Sequence, residues 1–238
     1  MIAHAGLCSR RRAEQLIFQG RVTVDGQPAT IGQQVDPQSV LIVVDGVPLP
    51  VRPDLVYYLL YKPVDVISTV SDPQGRTVVV DLVPTTTPVH PVGRLDSDSE
   101  GLILLTNDGD LTHRLTHPSF GVEKTYQAVV DGAVTSANMA RLVRDGVTLD
   151  DGPARPVRAV VKATSKGTSL VEIVLTEGRN REVRRIFDAI GHPVVRLVRT
   201  AIGPIRDPSL KPGTQRSLSA DEVRSLYTAS AGGTAVQA

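Results

Sequence analysis

Apolar and polar residues alternate in a way that divides the chain into two unequal parts. In the first part, apolar residues recur at helical spacing after a Ser9 cap, and Gly20 ends the predicted helix. Two β-rich runs follow, and each leads into an Asp-Gly pair that is typical of a hairpin turn. Three prolines between residues 48 and 53 then indicate a stiff linker. The pattern predicts a small unit over residues 1–48 and a larger domain over residues 55–227.

The larger part mixes short β-rich runs with helical segments. The clearest helix spans 181–190, where apolar residues recur at i, i+3, i+4 and i+7 and Gly191 follows. Other predicted helices cover 111–115, 135–144 and 221–227. Residues 228–238 are small and polar, which predicts a disordered tail. The predicted strands are 56–60, 64–70, 77–83, 102–106, 124–131, 159–162, 169–175 and 194–198.

Composition limits the classes of protein that fit. Apolar residues make up 41% and charged residues 21%, as in soluble globular domains. No apolar run approaches the roughly 20 residues of a membrane span, and the first residues do not resemble a signal peptide. The single cysteine, Cys8, excludes an internal disulfide and favours a reducing cytoplasm. The histidines lack the spacing of metal ligands, so we expect no metal site.

The net charge of +1 hides a local excess of arginine. Residues 177–206 contain seven arginines and three acidic residues, which suits phosphate binding but also fits a solvated helix face. Arg10, Arg11 and Arg12 lie in the first turn of the predicted helix, where the helix dipole disfavours cations. We expect these three to bind an external anion such as phosphate; the alternative is that they are simply solvated.

The segment 93–109 is the most informative in the chain. Asp96, Asp98 and Glu100 alternate before Gly101 and an apolar run. A calcium loop starting at Asp96 is one interpretation, although its twelfth position would be Asn107 and not a bidentate glutamate. A hydrogen-bonded acidic turn before a core strand is the second interpretation. A catalytic carboxylate is the third, and spacing alone leaves all three open.

The segment resembles the Gly-Arg-Leu-Asp signature of pseudouridine synthases of the RsuA/RluB type, which modify ribosomal RNA at single sites. The similarity continues through 99–109, 124–126, 177–185 and 196–199. Residues 5–12 and 20–26 resemble an S4 RNA-binding domain. Two departures are visible. Related S4 domains have several residues before Ala3, so the true start lies upstream or the domain is weakened. Asp65 stands where the family has glycine, although aspartate tolerates left-handed backbone.

The resemblance implies an α+β protein in which an S4-like domain precedes a catalytic domain with a mixed, largely antiparallel sheet. The implied reaction converts a uridine of ribosomal RNA, with 23S favoured, to pseudouridine. It breaks the N-glycosidic bond, turns the uracil and rejoins it through C5. No redox step occurs, so no cofactor is expected. We also expect a monomer, and a structured but unpaired target whose base flips out of its stack.

Site residues follow from the same resemblance. Asp96 is the carboxylate that acts as nucleophile or base, and Arg184 is its ion-pair partner. Tyr126 stacks on the target base, Leu197 packs in the base pocket, and Arg94 fills space or binds phosphate. The alternatives are a phosphate contact for Arg184 and core positions for Tyr126 and Leu197. The residues expected to bind RNA are Arg10, Arg11, Arg12, Arg21, Arg181 and Arg185.

Two competing functions remain at this point. A non-catalytic RNA-binding or ribosome-assembly protein would keep the fold and dispense with Asp96. A glycosidase-like hydrolase would use Asp96 with Glu100 and would not need the arginines of 177–185. The combination of Asp96, Tyr126 and Arg184 argues against both, and Asp98 and Glu100 are interpreted as structural.

Overall fold

The computed structural model describes residues 2, 9–35, 40–49 and 55–231. The first unit packs a helix, α1 (Arg10–Phe18), against a four-stranded antiparallel sheet of order β2-β1-β3-β4. Ser9 caps the helix as predicted, because its Oγ accepts a hydrogen bond from the backbone N–H of Arg12. The strands of this unit are β1 (Val22–Val24), β2 (Gln27–Pro28), β3 (Ile42–Val44) and β4 (Val47–Pro48).

Nine strands form the sheet of the larger part, and a separate two-stranded hairpin stands beside it. The sheet strands are β5 (Tyr57–Lys62), β6 (His90–Val92), β7 (Glu100–Thr106), β8 (Lys124–Asp131), β11 (Arg158–Ser165), β12 (Thr168–Leu175), β13 (Val194–Ile202), β14 (Ile205–Arg206) and β15 (Gln215–Ser217). The hairpin consists of β9 (Val147–Leu149) and β10 (Gly152–Ala154). The helices are α2 (Gly109–Thr116), α3 (Ser136–Asp145), α4 (Glu182–Ala189) and α5 (Ala220–Ala231).

The main path of the sheet runs β11-β12-β8-β13-β7-β5-β15. Its neighbours pair antiparallel, except that the central strand β13 runs parallel to β7. This is the α+β fold with a mixed, largely antiparallel sheet that the sequence predicts. At the parallel junction Gly101 has φ +111°, and a Cβ there would lie 2.3 Å from the Arg199 carbonyl oxygen. Glycine therefore allows β7 and β13 to approach this closely.

Helix α4 confirms the apolar stripe predicted for it. Val183, Ile186 and Phe187 are buried in one core cluster with residues of β8 and β12. A second cluster joins α2 and α5 to β7 and includes the partly buried Val47 of β4. The two clusters hold the helices against the sheet. The candidate site forms at the segment that precedes β7.

Three predictions about elements were wrong. Residues 64–70 form no named strand, and 77–83 contain a 3-10 helix, Val79–Leu82, because Val66, Val79 and Val83 are buried in a cluster with residues of β5 and β7. Only an isolated bridge joins Ile67 to Val78. The predicted tail is helical to Ala231, since Ser230 is fully buried and the helix docks there. Residues 232–238 lie outside the described residues.

Within the described residues, no helix has the length and apolar character required to span a membrane. Over the same part of the chain, no group of three or more His, Cys, Asp or Glu side chains is arranged to hold a metal ion.

Candidate active site

The loop that carries Asp96 is held from two sides before it enters β7. Ser68 Oγ donates to the carbonyl oxygen of Leu95 at 2.8 Å and accepts the N–H of Leu95 at 3.1 Å. The fully buried ammonium of Lys62 donates to the carbonyl oxygens of Ser99, at 2.7 Å, and Ser97, at 3.5 Å. The loop backbone is therefore fixed, while the Asp96 side chain stays 32% exposed.

The turn after Lys62 supports the same loop. Asp65 has φ +64°, which confirms that aspartate takes the left-handed conformation expected at this position. Its N–H donates to the carbonyl oxygen of Ser97 at 2.8 Å. Burial lowers the pKa of Lys62 to about 8, and nearby carboxylates, Asp65 and Asp96 among them, oppose that shift.

A cavity of about 210 Å³ opens beside Asp96. Four residues predicted for the site line it together: Arg94, Asp96, Tyr126 and Leu197. Tyr126 lies on β8 and Leu197 on the neighbouring strand β13, and both are buried. Arg94 is exposed at the cavity. The structure thus brings these four side chains to one place from three separate segments of the chain.

The two arginines nearest the loop are arranged differently from the prediction. Arg184 donates to the carbonyl oxygens of Asp98 and Val194, both at 3.0 Å, and its Nη2 lies 3.3 Å from Oδ2 of Asp98. Arg181 is the cation that reaches Asp96, with 3.9 Å between Nη1 and Oδ2. The predicted Arg184–Asp96 pair is therefore corrected: Arg184 is buried against the loop backbone, and its carboxylate partner is Asp98.

Asp98 has the structural role that the sequence suggests. Burial alone would raise the pKa of Asp98, but the hydrogen bond from Arg181 and the charge of Arg184 hold it below its ordinary value. Arg181 has φ +49° immediately before α4, an uncommon conformation for arginine that aims its side chain at the loop. Asp98 therefore anchors Arg181 and Arg184 to the loop that carries Asp96.

The Glu100 side chain has its hydrogen-bond partners away from the cavity. Its carboxylate accepts from Arg196 Nε at 2.5 Å and from the Tyr61 hydroxyl at 3.3 Å, and Glu100 is absent from the residues that line the cavity. Residues 100–106 form the buried strand β7, so the five positions that a calcium loop would need after Gly101 are unavailable to an ion. The calcium interpretation is therefore wrong, and a hydrolase pairing of Asp96 with Glu100 loses its second carboxylate.

Comparisons with known proteins identify the family of this chain. A family model described as RNA pseudouridylate synthase matches residues 56–189. The chain belongs to the RNA pseudouridylate synthase family. A model of the S4 domain matches residues 1–41.

Relatives of this synthase cover nearly its whole length. It is 46% identical to an uncharacterised RNA pseudouridine synthase of Mycobacterium bovis, over 96% of this chain and 92% of the relative. It is 41% identical to the ribosomal large subunit pseudouridine synthase B of Bacillus subtilis, over 95% of this chain and 93% of the relative. A crystal structure of a pseudouridylate synthase matches with a TM-score of 0.63 and 29% identity, over 94% of this chain and 96% of that one.

Other arginines predicted to bind RNA divide into those at the start of α1 and those paired with a carboxylate. Arg10, Arg11 and Arg12 are exposed at the start of α1. Arg21 forms a two-bond ion pair with Asp45, at 2.5 and 2.6 Å. Arg185 donates to Asp151, at the turn of the β9–β10 hairpin, at 2.8 Å. Both paired arginines would have to exchange a carboxylate for a phosphate in order to bind RNA.

Sequence reasoning missed several residues of the synthase site. Lys124 and Arg199 line the cavity, and Lys62 holds the loop of Asp96 through a hydrogen bond to the carbonyl oxygen of Ser99. Arg179 also lines it and is held by Glu182, Asp151 and the carbonyl oxygen of Pro153. Lys124, Arg179 and Arg199 lie inside the family motifs, which was the available signal. Their roles depend on neighbours that sequence spacing does not reveal.

Proposed function

We propose that this synthase isomerises one uridine of large-subunit (23S) ribosomal RNA to pseudouridine, with Asp96 as its catalytic carboxylate. The observation that carries the proposal is the meeting of Asp96, Tyr126 and Leu197 in one cavity, beside a loop held by Lys62 and Ser68. A cavity lined by a tyrosine and a leucine, next to a carboxylate, suits the flat ring of a flipped pyrimidine nucleotide. The name of the Bacillus subtilis relative, a ribosomal large subunit pseudouridine synthase, supports the large-subunit substrate.

Each side chain has a proposed part in the reaction. Asp96 attacks C1′ of the ribose or removes a ribose proton, and either course breaks the bond from C1′ to N1 of uracil. Tyr126 stacks on the uracil while it turns, and Leu197 packs on its apolar side. Arg94, exposed at the cavity, contacts phosphate or fills the space that the flipped base leaves. Arg181, and not Arg184, is the proposed ion-pair partner of Asp96.

The remaining parts of the chain have proposed roles in RNA binding. Residues 1–48 form the S4-like unit, whose Arg10, Arg11 and Arg12 contact backbone phosphates, and residues 55–227 form the catalytic domain. Arg21, Arg181 and Arg185 add positive charge along the same RNA. The enzyme acts as a cytoplasmic monomer and uses no cofactor, because the isomerisation changes no oxidation state.

Tritium release tests the proposal directly. Ribosomal RNA carrying tritium at C5 of uridine is offered both free of protein and in ribosomes to the wild type, to Asp96→Asn and to Asp150→Asn. Asp150 is exposed and lies outside the cavity, so its substitution by asparagine removes the same charge away from the site. We expect release by the wild type and Asp150→Asn and none by Asp96→Asn. Absence of release from every protein on both substrates would favour the non-catalytic RNA-binding alternative.

A further inference from the structure

Two cations with incomplete hydrogen bonding line the cavity. Lys124 is on β8, two positions before Tyr126 and on the same face of the strand, because side chains alternate along a strand. Arg199 is on the adjacent strand β13, where it pairs with Tyr126. The tyrosine proposed to stack on the base is therefore bordered by two positive charges.

Lys124 has few acceptors for its three N–H groups. The hydrogen bond found for its Nζ runs to the carbonyl oxygen of Thr176, at 3.4 Å. Lys62 offers a contrast within the same chain, because its ammonium meets three carbonyl oxygens, those of Pro63, Ser97 and Ser99. Lys124 is partly buried and its ammonium has three N–H donors, so it is suited to an acceptor that enters the cavity.

Arg199 shows the same deficit independently. It is only 5% exposed, and it donates to the carbonyl oxygens of Leu102, at 2.7 Å, and Arg94, at 3.5 Å. Its Nη2 is buried and has no hydrogen-bond partner among the described residues. Two neighbouring cavity residues thus hold spare donors that protein groups leave unused.

The charges around Lys124 indicate what kind of acceptor fits. Burial and the positive charge of Arg199 lower the pKa of Lys124 to about 8, while Glu182 opposes the shift. Two neighbouring cations in the partly desolvated wall of the cavity are stabilised by a ligand that carries or develops negative charge. The ligand class is therefore an anion, or a polar group that becomes one during the reaction.

We propose that Lys124, with Arg199 beside it, donates a hydrogen bond to a carbonyl oxygen of the target uracil and stabilises the uracil anion formed when its bond to the ribose breaks. This inference rests on the proposed function and adds a catalytic residue to it. A uracil stacked on Tyr126 presents its edge to a side chain about 7 Å along the strand, within reach of a lysine. A backbone phosphate is the competing ligand, and the experiment separates the two.

The step balances without any further reactant. The electron pair of the C1′–N1 bond leaves with the uracil, and its charge is shared among N1, O2 and O4. After the ring turns, a pair from C5 forms the new C1′–C5 bond. The proton on C5 then leaves, and N1 gains a proton. Lys124 stays protonated throughout and acts by electrostatic stabilisation of the separated base.

Single-turnover tritium release measures the contribution of Lys124. Wild-type release is established first, which tests the proposed function separately. Lys124→Met is then compared with Lys124→Arg and with Lys166→Met, which removes a lysine from an exposed turn. Loss of one preorganised donor predicts a rate about 100-fold lower for Lys124→Met, partial recovery in Lys124→Arg, and no change in Lys166→Met. A folded Lys124→Met enzyme with the wild-type rate would overturn the proposal.

The salt dependence of RNA binding distinguishes base from phosphate. A contact to a neutral carbonyl releases no counterion, so the wild type and Lys124→Met should have equal slopes of log affinity against log salt. A slope smaller by about 0.7–0.9 in Lys124→Met would assign the residue to a phosphate and overturn the proposal.

The pH profile provides a test that does not depend on whether Lys124→Met folds. Arg199 of β13 and Glu182 of α4 are the charged groups that act on Lys124. The wild-type rate should fall as the pH rises above about 8, and this alkaline limb should move to higher pH in Lys124→Arg. An identical limb in both proteins would contradict the proposal.

Discussion

Arg181 bridges two carboxylates of one loop: its guanidinium lies 3.1 Å from Oδ2 of Asp98 and 3.9 Å from Oδ2 of Asp96. The Arg181 side chain is 45% exposed, and an ion pair so open to solvent contributes little to the free energy of unfolding. The uncommon left-handed backbone at Arg181 is therefore better explained by a function than by stability.

Neutralising Arg181 should impair catalysis more than neutralising its neighbour Arg185. We expect Arg181→Gln to lower kcat/KM about tenfold or more, because the cation beside Asp96 is removed. Arg185→Gln removes the same charge from the same helix end, but its partner is Asp151 and not the loop. Steady-state tritium release compares the two variants, with melting temperatures as the control. Equal losses of activity in the two variants would indicate that both arginines act only by attracting RNA electrostatically.

The contact between β7 and β13 should not tolerate a methyl group. Gly101→Ala places a Cβ 2.3 Å from the Arg199 carbonyl oxygen and 2.6 Å from its nitrogen, at a φ that side chains disfavour. We expect a loss of about 3 kcal/mol or more in the free energy of unfolding, measured in urea. Gly109→Ala is the control, because a Cβ at this helical position meets nothing within 4 Å. Equal stability of the two variants would exclude the close approach.

The first helix should contribute to RNA affinity through charge alone. Replacing Arg10, Arg11 and Arg12 with glutamine should reduce the slope of log affinity against log salt by roughly 0.7–0.9 for each phosphate that is no longer bound. The rate at saturating RNA should remain unchanged, because these side chains lie outside the cavity. Arg141→Gln, an exposed arginine on α3, serves as the comparison. An unchanged slope in the triple variant would refute phosphate binding by these arginines.

Stability should rise with pH above neutrality. The pKa of Lys62 is lowered to about 8 from an ordinary value of 10.5. Between these values the unfolded chain keeps a proton that the folded chain has released, so the free energy of unfolding increases with pH. Lys124, whose pKa is also lowered to about 8, adds to the rise. Urea unfolding at pH 7.5 and 9.5 should detect it.

Lys62→Met should remove the share of this rise that belongs to Lys62. The same variant should lose roughly 1–3 kcal/mol of stability for each buried carbonyl group that it leaves without a partner. Those groups belong to Pro63, Ser97 and Ser99, so activity should fall together with stability. A wild-type protein whose stability stays flat between the two pH values would contradict the assignment.

Local patterns predicted the elements that bury one continuous face. Strand β8 runs over the predicted residues, and α4 differs from the prediction by one residue at each end, because alternation and helical spacing record which side meets the core. The valines of 64–70 and 77–83 were misleading. They are β-branched and apolar, but Val66, Val79 and Val83 pack around a 3-10 helix and not in a ladder, and Val64 and Val70 are exposed.

Interactions across distant segments could not be predicted in the same way. Arg184 was assigned to Asp96 by resemblance, yet the competing carbonyl groups of Asp98 and Val194 become visible only once α4 packs beside the loop. Lys62 and Arg199 were overlooked because a buried cation depends on acceptors supplied by other strands. Asp96 and Tyr126 carried specific motifs, so their meeting in one cavity was foreseeable.

The parallel pairing of β7 with β13 has a consequence for how the enzyme is made. Strand β7 follows the loop of Asp96, whereas β13 supplies Leu197 and Arg199, far later in the chain. During translation the first half of the pocket leaves the ribosome long before the second half exists, and such distant pairing is slow to form. A nascent chain therefore holds no complete pocket until β13 has been synthesised.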